Sequence, residues 1–139
     1  MPHQNKVKKL SRTKPHREAM LSNLATSLFQ HRTIETTEAK AKELRRVADR
    51  LISTAKKDTL SARRQVAKTI KNKKVFKAFF DEIIPQFDKR ESGFTRVMKV
   101  GFRRGDSAII SRVDLLVEKP KKTEKKAAKK KKKAAAETK

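Results

Sequence analysis

The chain has 139 residues, with 39 Lys and Arg against 15 Asp and Glu, a formal charge of +24 at neutral pH. Self-repulsion on that scale calls for a dense polyanion beside the protein, and nucleic acid is the first candidate. With no cysteine, a disulfide framework and a thiolate metal centre are both excluded, and His3, His16 and His31 are too scattered to suggest a metal site, so no metal or cofactor is expected.

Residues 1–14 read as a basic arm. Lys6, Lys8, Lys9, Arg12 and Lys14 stand there with no acidic residue, and Val7 and Leu10 are the apolar side chains after Met1 and Pro2. The arm lacks the apolar stretch of a signal peptide, and no run in the chain reaches the roughly 18 apolar residues of a membrane span, so a cytoplasmic protein is expected. Pro15 suits the first position of a helix, where its missing N–H costs nothing. Met20, Leu21, Leu24, Ala25 and Leu28 continue at helical spacing to about Gln30.

Thr33, Ile34, Thr36 and Thr37 favour a short extended link or edge strand. Thr36 or Thr37 is placed to cap a second helix, with Glu38 at its positive end. That helix carries Leu44, Val47, Ala48, Leu51 and Ala55 on one stripe and Lys42, Arg46, Asp49, Arg50 and Lys57 opposite. Asp58 is the expected cap of a third helix and Asn72 of a fourth. Val75, Phe76, Phe79, Phe80, Ile83 and Ile84 form the densest apolar cluster, which Pro85 is expected to end.

After Ser92-Gly93 the period changes to two. Phe94, Met98, Val100 and Phe102 alternate with Thr95, Val97, Lys99 and Gly101, which predicts a strand. Arg103-Arg104-Gly105-Asp106-Ser107 has the composition of a turn, and Ile109, Val113, Leu115 and Val117 alternate with Arg112, Asp114 and Glu118 in a second strand. The resulting hairpin needs helices on its apolar face, with the Ile34 segment as a candidate third strand. Pro120 closes the domain, and the Lys/Ala-rich stretch beyond it has the composition of a disordered tail.

The expected fold class is therefore α+β, with about four helices packed on a small sheet that contains a C-terminal β-hairpin. A basic arm (1–14) precedes the globular domain (15–118), and a disordered tail (119–139) follows it. Residues 1–118 hold 28 Lys and Arg against 13 Asp and Glu, so the body itself carries +15 and the tail +9. A neutral enzyme with a sticky tail would distribute charge differently. The hydrophobic share, 35%, is below the usual ~45–50% and implies a thin core of marginal stability in isolation.

No constellation supports catalysis. The sequence offers no aligned nucleophile, base and orienting group, and its three glycines, Gly93, Gly101 and Gly105, form no phosphate-cradling loop. Asp81 and Glu82 are neighbours on a helix and point apart, as surface acids do. Arg103-Arg104-Gly105-Asp106 contains an Arg-Gly-Asp string, which in this context is a hairpin turn. Neither an enzymatic activity nor a small-molecule substrate is expected.

The basic residues are better candidates. Arginines come in pairs, Arg45-Arg46, Arg63-Arg64 and Arg103-Arg104, and a guanidinium fork suits phosphate oxygens. The arm residues Lys6, Lys8, Lys9, Arg12 and Lys14, with Arg45, Arg46, Lys99, Arg103 and Arg104, are the candidate RNA contacts, and His3 and His16 fit hydrogen bonds to sugar or phosphate better than metal ligation. The phenylalanines, including Phe94 and Phe102, are expected in the core. With no Tyr, no Trp and no evident aromatic platform, contact with RNA backbone and shape is expected rather than base stacking.

The order of residues resembles the bacterial large-subunit ribosomal protein seventeen family. The likeness runs from His3 to about Glu118 through Leu10-Ser11-Arg12-Thr13, His16-Arg17-Glu18-Ala19-Met20, Thr36-Thr37, Lys40-Ala41-Lys42-Glu43-Leu44-Arg45, Gly93-Phe94-Thr95-Arg96 and Gly101-Phe102-Arg103-Arg104-Gly105-Asp106. The chain departs from the family at Pro2, where Arg is usual, and at Phe94, where Tyr is common. The resemblance implies a structural constituent of the large subunit, bound to large-subunit ribosomal RNA near the nascent-chain exit side and beside other ribosomal proteins. By position it implies RNA contacts at His3, Arg12, His16, Arg17, Arg96, Arg103 and Arg104. The alternative on charge alone is a DNA-compacting, nucleoid-type protein.

Overall fold

The computed structural model describes residues 8–117; His3 and Lys6 of the arm, and the tail with Glu118 and Pro120, lie outside the described residues. Pro15 stands in the first turn of α1 (Lys14–His31), as its missing donor favours. The helix ends at Arg32, whose left-handed backbone, φ 67°, lets its N–H donate to the Leu28 carbonyl at 2.8 Å. That reversal feeds β1 (Thr33–Thr37), and α2 (Glu38–Ala55) follows with no intervening loop.

Thr37 is the N-cap residue of α2, but its hydroxyl makes no capping bond. Ala41, Leu44, Ala48, Leu51, Ile52 and Ala55 make the buried stripe. Asp49, expected on the solvent side, instead turns toward the sheet and accepts a hydrogen bond from Thr95 Oγ1 at 3.0 Å. The third helix, α3 (Leu60–Thr69), is capped by Thr59 rather than Asp58: Thr59 Oγ1 accepts from the Ala62 N–H at 3.2 Å. Asp58 sits at φ 44° and uses its carboxylate on Arg63 at 2.7 Å. Asn72 caps α4 (Lys73–Ala78) as expected, accepting from Lys74 N at 3.0 Å.

Pro85 does not simply end the aromatic helix. Because it cannot donate to the carbonyl four residues back, the winding changes around it. A π turn spans Phe79–Ile83, with Ile84 N–H donating to the Phe79 carbonyl, and a 3-10 turn spans Ile84–Phe87. Phe79 thereby lies wholly in the core, 4.5 Å from Phe29 and 5.4 Å from Phe80 between ring centroids.

The strands β1, β2 (Thr95–Phe102) and β3 (Ile109–Leu115) form one antiparallel sheet in the order β1-β3-β2, so the Ile34 segment is the third strand. The helices cover one face, onto which Ser111, Val113 and Leu115 alternate from β3. The architecture is α+β, with four α-helices among the described residues.

The face of β2 differs from the expected one. Thr95 and Val97 turn inward, whereas of the row Phe94, Met98, Val100 and Phe102 only Phe94 is buried, its ring 5.1 Å from Phe87. The inward row before Lys99 is simply Thr95 and Val97, and a bulge follows: Lys99 pairs with Ser111 and Gly101 with Ile110, leaving Val100 as an extra residue and returning Phe102 to the helix side. The alternation inverts there.

Candidate nucleic-acid interface

At its described end the arm is a tight turn. Leu10 and Ser11 are both left-handed, φ 53° and 52°, and Arg12 N donates back to the Lys9 carbonyl at 3.2 Å. Arg12 Nη1 donates to the Leu10 carbonyl at 2.8 Å, and Arg17 Nη1 reaches the Arg12 carbonyl at 3.4 Å. These two half-buried arginines hold the turn against the start of α1. Lys8, Lys9, Lys14 and His16 remain exposed around it.

A second group gathers between α2 and the sheet. Lys42, Arg45, Arg46 and Lys99, with Glu38, Asp49, Val97 and Ser111, line a groove of about 420 Å³. Pairing of β2 with β3 brings Lys99 to α2, although more than fifty residues separate them. Its Nζ lies 3.8 Å from Glu38 Oε1, while Lys42 Nζ lies at 2.7 Å. The Glu38 carboxyl is held below the usual carboxylate range, chiefly by its hydrogen bond with Lys42 and also by the charges of Lys42, Lys99 and Lys8, against a smaller burial effect. Arg45 approaches Asp49 at 3.7 Å and Arg46 approaches Glu43 at 3.6 Å, loose pairs between exposed arginines and part-buried carboxylates.

Ser111 Oγ is fully buried beside this groove and finds no hydrogen-bond partner among the described residues. A buried hydroxyl without a partner contributes no stability. Ser111→Ala is therefore expected to leave the urea unfolding free energy unchanged or raise it by up to about 1 kcal/mol. A loss of 1 kcal/mol or more would show that the hydroxyl is satisfied in solution.

The third group is the hairpin turn, where Arg103 and Arg104 differ in role. Arg103 Nε donates to Asp106 Oδ1 at 3.0 Å and its Nη2 to Oδ2 at 2.5 Å, while Asp106 Oδ1 also accepts from Ala108 N at 3.3 Å. The Arg103 fork thus closes the turn. Arg104 is exposed and makes no ion pair within the described residues. Gly105, at φ 100°, supplies the left-handed backbone that the turn requires.

The hydrogen bond from Arg103, with help from Ala108, lowers the Asp106 carboxyl to about 2 and raises the Arg103 guanidinium. A depressed carboxyl contributes stability that is present above its unfolded value and is lost as pH falls through the folded one. The turn should stay closed through pH 4 and open near pH 2. Carboxyl-carbon NMR should find Asp106 titrating near 2; a value near the ordinary ~3.9 would contradict the clasp.

Other candidates separate in the same way. Arg63 pairs with Asp58 and stacks over the Phe80 ring at 5.0 Å, whereas Arg64 is exposed. Arg96 is exposed on β2 opposite Asp114, whose carboxylate serves Thr33 Oγ1 and Arg112 Nε, both at 2.9 Å. One buried arginine has no counterpart in the sequence reading. Arg32 is nearly inaccessible and donates Nη2 to Glu82 Oε2 at 2.9 Å, tying the end of α1 to the π turn. Burial lowers its pKa, and Glu82 opposes the shift.

Among the described residues there is no cluster of three or more His, Cys, Asp or Glu able to hold a metal, and no helix long and apolar enough to cross a membrane. The candidate contact residues fall into two groups. Those braced by carboxylates or backbone are Arg12, Arg17, Arg63 and Arg103; those left to solvent are Lys9, Lys14, Arg96 and Arg104.

The model of the family described as ribosomal protein L17 matches residues 20–116. A large ribosomal subunit protein bL17 of Rubrobacter xylanophilus is 51% identical over 108 residues, covering 78% of this chain and 89% of the relative. The bL17 proteins of Desulforapulum autotrophicum and Halothermothrix orenii are 44% and 48% identical, covering 85% and 80% of this chain and 98% and 97% of theirs. The match leaves the DNA-compacting alternative without support. A family model that runs from within α1 through all three strands, together with relatives of this identity across most of their length, shows that the chain belongs to the ribosomal protein L17 family.

Proposed function

We propose that the chain is a structural constituent of the large ribosomal subunit in the cytoplasm, where it binds and stabilises folded large-subunit ribosomal RNA without catalysis. The observation that carries the reading is the set of exposed, uncommitted cations at separate places on one small fold: Lys9 and Lys14 by the first turn of α1, Arg96 on β2 and Arg104 on the hairpin. Cations spaced in this way, on supports fixed by internal ion pairs, suit phosphates at several points of a folded RNA rather than one small anion. His3, Lys6, Lys8, Arg12, His16, Arg17, Arg45, Arg46, Lys99 and Arg103 complete the proposed contact set, and the arm and tail extend it. Neighbouring large-subunit proteins and a position on the nascent-chain exit side belong to the same proposal.

Competition tests it. At matched salt, large-subunit ribosomal RNA should displace the labelled protein from genomic DNA at lower concentration than DNA displaces it from the RNA. A preference for DNA would overturn the reading.

A further inference from the structure

Phe102 lies in the hairpin with 75% of its surface exposed, more than any other large apolar side chain described. Beyond the bulge it pairs with Ile109, which alternates with the buried Ser111, Val113 and Leu115 and so faces the helix side. No helix among the described residues covers it there. α2 runs along β2 from Thr95, which meets Asp49, to Lys99, which meets Glu38, and Glu38 is the first residue of α2. Phe102 is three residues farther along the strand and projects past that end.

A protein-docking face would show a contiguous apolar patch. The exposed apolar residues of β2 are few and split by the bulge: Met98, 40% exposed, pairs with Arg112 on the sheet face opposite to Lys99 and Ser111, Val100, 56% exposed, is the unpaired bulge residue, and Phe102 lies on the helix side. With Val100 as its one exposed apolar neighbour on β2, the ring projects beside Arg103 and Arg104. The nearby acid, Asp106, is neutralised by Arg103, so the guanidinium of Arg104 sets the local charge. An exposed aromatic ring on a hydrogen-bonded strand in a cationic surround suits the face of a nucleobase attached to a phosphate chain.

We propose that Phe102 is a stacking contact for an unpaired base of the bound RNA, with Arg104 on the adjoining phosphate. This rests on the RNA-binding reading above. It reverses the sequence-based expectation for this ring, and it adds base contact to an interface otherwise built for backbone.

The test compares the full chain with Phe102→Ala, Phe102→Leu and Phe102→Trp in equilibrium binding to purified large-subunit ribosomal RNA across a salt series. Stacking predicts an affinity loss of about 5- to 100-fold for Ala, a loss close to that for Leu, and retention for Trp, with the salt slope unchanged because no phosphate contact is removed. Unfolding midpoints should stay at the wild-type value, since the ring is outside the core. Wild-type affinity for Phe102→Leu or Phe102→Ala would overturn the stacking contact, whether or not those variants lose a protein neighbour in the particle. Salt-independent or absent binding by the wild type would sink the RNA reading itself, which the unsubstituted chain reveals on its own.

Discussion

Phe79→Ala should destabilise the protein by about 3–5 kcal/mol, the usual range for emptying a buried phenylalanine site. Phe79 is fully buried where the π turn meets α1, its ring against those of Phe29 from α1 and Phe80 from its own turn. The chain has little surplus to absorb this, because a small domain has a total stability of only about 5–15 kcal/mol and this one carries a large like-charge repulsion. Urea denaturation should show a much lower midpoint with an unchanged slope, while the fraction that remains folded binds RNA as the wild type does. A loss below 1 kcal/mol would mean that the aromatic cluster is not the core.

The complementary variant replaces Lys8, Lys9, Lys14 and Arg104 together by Ala. All four are exposed, and their loss should leave the unfolding midpoint unchanged or slightly higher as repulsion falls. If each neutralises one phosphate, the dependence of log affinity on log salt becomes shallower by about 3, and affinity at 0.1 M salt drops about 1000-fold. An unchanged slope would place the RNA contacts elsewhere. The two variants thus separate the residues that hold the fold from those that hold the ligand.

The single sequence made the regular parts of this fold legible. Helical spacing from Met20 to Leu28 and from Leu44 to Ala55 marks α1 and α2, and the β-branched run at Thr33–Thr37 marks the third strand. These elements follow from local preference and burial together, so the pattern and the structure agree. The misplaced features depend on geometry that a linear pattern does not carry. A one-residue bulge at Val100 inverts the alternation, and only the pairing with β3 shows it. Asp58 and Thr59 are both good caps, and the left-handed backbone at Asp58 decides between them.

The candidate interface was proposed from composition more than from geometry. The paired arginines stood out, but within each pair the structure divides the labour: Arg63 braces Asp58 while Arg64 is exposed, and Arg103 closes the turn while Arg104 is uncommitted. The i, i+3 spacing of Arg103 and Asp106 across a glycine turn was the available signal for the clasp. Arg32 and Glu82 offered no such signal, since fifty residues separate them and only the packing of α1 on the π turn brings them together. The gathering of Arg45, Arg46 and Lys99 in one groove likewise depends on sheet register rather than sequence proximity.

The central claim is that these placed cations make the chain an integral part of the large ribosomal subunit. Its most direct test is the amount of this protein, relative to other core proteins, in large subunits purified through a high-salt wash that retains those proteins. The account predicts about one copy per particle, held by many simultaneous phosphate contacts. Recovery of the protein in the wash, with large subunits depleted of it, would contradict the account.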